Sequence, residues 1–124
     1  MSKIFISLPM HGKTDMRIEQ DIATATLFIT THLDPEAEII TGHMPCDLSG
    51  SYSKNQLRVR CLGRSIGIMA TCDAVFFCPG WEHANGCEVE HMIAYKYSLP
   101  AYHLCDFAGG IDQWELAAET AAKK

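Results

Sequence analysis

A chain of 124 residues that is 48% hydrophobic is long enough to bury one core of its own but leaves no room for a second domain, so a single domain over residues 1–124 is expected. A formal charge of -5 and a pI near 5.6 exclude the basic surface that a nucleic-acid polymer or an anionic membrane would need. Any nucleotide partner is therefore expected to be small and held in a pocket.

Taken in order, Lys3-Ile4-Phe5-Ile6-Ser7 reads as a compact first strand, and the loop from Leu8 to Lys13 leaves its carboxyl end. A helix is predicted over residues 15–32, with Ile18, Ile22, Ala25, Ile29 and Leu33 on one face and Thr14 or Asp15 as its cap. Asp34-Pro35 stops it, and residues 37–41 read as a second strand at a sheet edge. The segment 42–52 has turn residues but no period, and its length suggests a lid or a contact surface.

Ser53-Lys54-Asn55-Gln56 has the pattern of a capping box, opening a second helix to about Ala70. Leu57, Cys61, Ser65, Ile68 and Met69 are expected to face inward, with Arg58, Arg60 and Arg64 on the other face. Residues 74–78, AVFFC, read as a strand buried on both faces and closed by Pro79-Gly80. After a short loop, Gly86 opens a third helix whose apolar positions are Val89, Met92, Ile93 and Tyr97. Leu99-Pro100 ends it, residues 101–104 form a further strand, and a last helix is expected from about Asp112 to Ala122.

Alternating β and α segments specify an α/β fold. The expectation is a three-layer, Rossmann/flavodoxin-like parallel sheet of four to five strands with helices on both faces. In such a sheet ligands bind at the carboxyl ends of the strands. The loops after the first strand and after AVFFC, with the start of the third helix, are therefore the predicted pocket.

Six cysteines without a CxxC pair read as buried thiols, and six histidines without HxxxH or HExxH spacing give no metal site. No metal or cofactor is expected. Cys87 is the exception among the thiols, because the first turn of a helix lowers a thiol pKa. No apolar run approaches the ~20 residues that span a bilayer, and MSKIFISLPM lacks the pattern of a signal peptide. A cytoplasmic protein with no membrane partner is the expectation.

Glu90 is the sharpest candidate for chemistry, one turn into the third helix and aimed back at its start. Its carboxylate suits attack on an anomeric carbon or acceptance of ribose hydroxyls. The alternative is an exposed helical Glu beside Lys96 or His91. Trp81 reads as a stacking surface for a base or as a loop anchor, and Asn85-Gly86 as a site of positive φ and close backbone approach. His11 and Lys13, on the loop after the first strand, are phosphate candidates, as are the arginines of the second helix.

In this order, KIFISLPMHG before a helix and then CDAVFFCPGWEHANGCEVEHMIAY resemble the nucleoside 2-deoxyribosyltransferase-like superfamily. The specific part is Asp73, the apolar strand, Trp81, Gly86, Glu90 and Ala94. The resemblance implies that Glu90 matches the glutamate nucleophile that takes the deoxyribosyl group in the enzymes. Those enzymes also use acids in the preceding helix and in the loop before that glutamate. Here these fall near Ser65 and near Ala84 or Asn85, none of them acidic.

That combination is similar to another branch, the type-two Thoeris anti-defence proteins of phages, which bind and sequester cyclic ADP-ribose signals made by TIR-domain enzymes. The resemblance implies a homo-oligomer, usually a tetramer, and in some relatives a separate cyclic-oligonucleotide site. It implies a ligand-binding set of Ser7, Pro9, Met10, His11, Gly12, Arg64, Trp81, Asn85, Gly86, Cys87 and Glu90. The alternative is an enzyme, a deoxyribosyltransferase or nucleotide N-glycosidase with Glu90 as nucleophile.

Overall fold

The computed structural model describes residues 2–10, 12–42 and 50–103. The expectations for His11, Cys46, Cys105, most of the segment 42–52 and the last helix lie outside the described residues. Within them the chain alternates strand and helix: β1 Lys3–Ser7, α1 Asp15–His32, β2 Glu38–Thr41, α2 Lys54–Met69, β3 Ala74–Phe77, α3 Asn85–Lys96 and β4 Ala101–His103. A single turn of 3-10 helix, Trp81–His83, precedes α3.

The sheet has four parallel strands in the order β2-β1-β3-β4, the α/β architecture that the sequence pattern predicts. β2 is an edge strand, as expected, and is paired with β1 in register Lys3 to Glu38. Strand addition reverses direction between β1 and β3, which makes their carboxyl ends the switch point where an open α/β sheet forms its crevice. Right-handed crossovers then place α1 on one face and α2 and α3 on the other.

Strand alternation builds the two cores. Ile4, Ile6, Ala74 and Phe76 point to α1, where they pack with Ile18, Ala25, Phe28 and Ile29. Phe5, Val75 and Phe77 point the other way, to Met69 of α2 and Ala94 of α3. By the same alternation Ser7, opposite Phe77 in the ladder, faces the α2/α3 side at the end of its strand.

α1 begins where its sequence says, with Thr14 accepting from the backbone N–H of Arg17 at 3.1 Å. In α2 both halves of the Ser53/Gln56 capping box form. Its inward face differs from expectation: Met69 is buried, whereas Leu57, Cys61, Ser65 and Ile68 are only partly covered. α3 starts at Asn85 rather than Gly86, and its buried stripe is Cys87, Glu90 and Ala94. Val89 and Ile93 are half-buried, while Met92 and Tyr97 are 54% and 80% exposed. Spacings of three and four also fit 87, 90 and 94, and the hidden member of that stripe is a glutamate.

Candidate functional site

A cleft of about 970 Å³ opens at the carboxyl ends of β1 and β3, between α2 and the start of α3. The turn after β3 shapes one wall. Pro79 and Gly80 take the two central positions of a turn closed by Trp81 N–H donating to the Cys78 carbonyl at 3.2 Å. Gly80, at φ 91° and ψ 1°, supplies the left-handed residue that a type II turn requires. The positive φ expected at Asn85-Gly86 is thus at Gly80, and Gly86 sits within the helix.

Glu90 lies on the floor of this cleft, 5% exposed. Ser7 Oγ donates to Glu90 Oε1 at 2.8 Å and Ser65 Oγ donates to Oε2 at 2.7 Å, so each carboxylate oxygen has its own hydroxyl. Burial pushes the carboxyl above its ordinary range, and the two serine hydrogen bonds oppose that rise. The exposed reading of Glu90, paired with Lys96 or His91, is overturned.

Ser65 reaches Glu90 because the chain beside it carries no side chain. A Cβ on Gly42, just past β2, would stand 2.5 Å from Ser65 Oγ and 3.4 Å from the Phe5 ring. Only glycine permits that approach without displacing the serine. Sequence spacing places Ser65 on the inner side of α2 but gives no sign of its pairing with Glu90.

The start of α3 forms the opposite wall through Ala84, Asn85, Gly86 and Cys87. Ala84 occupies the cap position without a side-chain hydrogen bond. The first N–H groups of a helix have no acceptor within it, so this uncapped end gives the cleft donors and a partial positive charge. Cys87 does not carry the lowered pKa expected of a first-turn thiol. Burial raises it to about 11, the nearby Glu90 carboxylate adds to that rise, and the Ser7 hydroxyl offsets part of it.

Of the other predicted site residues, Pro9 and Met10 line the cleft, as do Asn85, Gly86, Cys87 and Glu90. Ser7 stands behind Glu90, 1% exposed, and supports it rather than lining the space. Gly12 is an exposed turn residue at φ 78°, and Arg64 is exposed on α2; neither lines the cleft. Trp81 does not line it either. Its ring stacks on His91 at 4.1 Å and packs with Phe77 and His103, making it an anchor of the second core.

Lys13 is committed to Asp21 at 2.7 Å, with Arg17 on the other oxygen at 3.2 Å, and is not an available phosphate ligand. Arg58, expected to face away, lines the cleft together with Lys54. Arg60 instead lies over the Tyr52 ring at 4.3 Å.

Cys72, Cys78 and Cys87 are buried thiols as expected. Cys61, which also lines the cleft, is disulfide-bonded, contrary to the reading of all six as thiols. Among the described residues no cluster of three metal-ligating side chains occurs, and no helix is long and apolar enough to cross a membrane.

Comparisons with protein-family models, curated proteins and solved structures return no match to this chain.

Proposed function

We propose that this protein is a nucleotide sponge: it binds and sequesters a cyclic ADP-ribose-type signalling nucleotide without cleaving it. The observation that carries this reading is the Glu90 carboxylate, buried on the cleft floor and held at both oxygens by serine hydroxyls. A carboxylate so held keeps acceptor capacity for the hydroxyls of a ribose. The uncapped start of α3 beside it offers free N–H donors to the polar groups of the same sugar.

Cleavage of a glycosidic bond ordinarily uses a second carboxyl group to protonate the leaving group. Among the described residues lining the cleft Glu90 is the sole carboxylate, and the group nearest to it on α2 is the Ser65 hydroxyl. This arrangement favours holding over cutting. The apolar part of the wall, from Leu8, Pro9, Met10, Leu57 and Leu62, supplies a surface for a base.

The likeness to the Thoeris anti-defence branch of the deoxyribosyltransferase-like superfamily points the same way, and on that reading the working form is a homo-oligomer in the cytoplasm of an infected cell. Titration calorimetry with cyclic ADP-ribose isomers tests it. Binding at micromolar Kd or tighter, lost in Glu90→Ala, is expected; no heat from any isomer at micromolar concentration would sink the proposal. The enzymatic alternative predicts free base released from a nucleoside or nucleotide, abolished by Glu90→Gln.

A further inference from the structure

The sequence of α2 conflicts with its own dipole. The start of a helix favours acids, yet the first turn of α2 holds no acid and begins with Lys54. Over its whole length, Lys54–Met69, the helix carries Lys54, Arg58, Arg60 and Arg64 and no Asp or Glu, in a protein of net charge -5. A local choice that works against the fold is where a functional demand is to be sought.

Two of these cations, Lys54 and Arg58, sit one helical turn apart and line the cleft. The ion pairs among the described residues join Lys13 and Arg17 to Asp21 and leave Lys54 and Arg58 without a carboxylate partner. Arg60, on the other side of the helix, is engaged by Tyr52 through its ring and its hydroxyl, 3.3 Å away. The α2 wall of the cleft is thus hydroxyl at one end, where Ser65 meets Glu90, and cationic at the other.

We infer that Lys54 and Arg58 form an anion subsite that takes the pyrophosphate of a nucleotide whose ribose is held at Glu90. The helix itself sets the spacing. Arg58 precedes Ser65 by two turns and Lys54 by three, a rise of roughly 10 to 16 Å at 1.5 Å per residue. A 5′-monophosphate offers the two cations one phosphate group. A pyrophosphate offers two, one for each. The cleft is therefore matched to a dinucleotide-like or ADP-ribose-like ligand over a nucleoside monophosphate. The ribose half of this inference rests on the proposed function; the anion half does not.

Two probes separate them. Inorganic pyrophosphate is titrated into the full chain while the backbone amide resonances of residues 54–58 are followed, and cyclic ADP-ribose isomers are titrated in parallel. The variants are Lys54→Gln/Arg58→Gln, both at exposed positions, with Arg60→Gln as control. Pyrophosphate shifts at 54–58 that weaken about tenfold or more in the double variant, and less than about twofold in the control, are expected for charge-assisted contacts. No pyrophosphate binding to the unaltered protein, or equal binding to the double variant, overturns the subsite even where a cyclic isomer binds. Pyrophosphate bound through Lys54 and Arg58 while no nucleotide binds supports the subsite and brings down the sponge reading instead.

Discussion

α1 and α2 lie on opposite faces of the same sheet, and the sheet uses them differently. α1 buries Ile18, Asp21, Thr24, Ala25, Phe28 and Ile29, most of them in the core on one face of the sheet. α2, almost as long, buries Met69 alone and leaves Val59 68% exposed. Burial stabilises and access permits binding, so one helix holds the fold together while the other forms the wall of a cleft. The price of that cleft is a helix kept in place by few apolar contacts.

A truncation on each helix separates the two roles most widely. Phe28→Ala, at a position with no exposure, is expected to cost about 3–5 kcal/mol in a denaturant titration, from lost transfer energy and the cavity left behind. Leu57→Ala on α2 is expected to cost less than about 1 kcal/mol. Equal losses would show that α2 carries a share of the core that its exposure denies.

Next in size is the support of Glu90. Gly42→Ala puts a methyl group where Ser65 Oγ stands, and Ser65→Ala removes the hydroxyl. Each leaves one oxygen of a buried carboxylate without its donor, for an expected loss of about 1–3 kcal/mol. Both variants should also weaken ligand binding. If they cost the same separately and little more when combined, they act through the same hydrogen bond.

Two pH effects follow, each smaller and opposite in sign. The Glu90 carboxyl titrates above its ordinary value near 4.5, so the folded state holds its proton longer than the unfolded chain does. Stability contributed by this group is complete below that value and declines as pH rises through the raised folded pKa. Glu90→Gln, which cannot ionise, should gain in thermal stability relative to the unaltered protein over that same rise.

His91 behaves oppositely, because burial among rings and its neighbour His103 lower its pKa from 6.5. Here the unfolded chain binds the proton first, and stability falls as pH drops below about 6.5 toward the folded pKa. His91→Phe should flatten the melting temperature over that window; a slope unchanged by the substitution would assign the effect to other groups.

Much of this fold is legible in the sequence, because its elements announce themselves locally. β1 and β3 are short apolar runs, Thr14 and the Ser53/Gln56 pair mark helix starts, and Pro79-Gly80 forms its own turn. What covers a helical face is not local information. Leu57 and Cys61 have core spacing, yet the neighbour they face is the cleft. In α3 the buried stripe is Cys87, Glu90 and Ala94 rather than Val89 and Met92.

At the site, Glu90 can be read from its position after the strand and turn, and the structure places it where that reading expects. Its partners are harder to read. Ser7 lies 83 residues away and Ser65 lies 25 away, and no motif joins them. Trp81 reads equally as a base-stacking surface or a loop anchor, and the 3-10 turn that carries its ring onto His91 decides for the anchor. A thiol at a helix start reads as acidified until burial is counted, and for Cys87 burial dominates.

Recovering the ligand distinguishes a cleft that holds a nucleotide from one that cuts it. The purified protein is incubated with cyclic ADP-ribose isomers, separated from unbound ligand and heat-denatured, and the released material is analysed by chromatography and mass spectrometry. Intact cyclic nucleotide in amounts matching the protein is the predicted result. Free base or an opened ribosyl product, absent from the Glu90→Gln variant, would contradict it and make Glu90 a nucleophile.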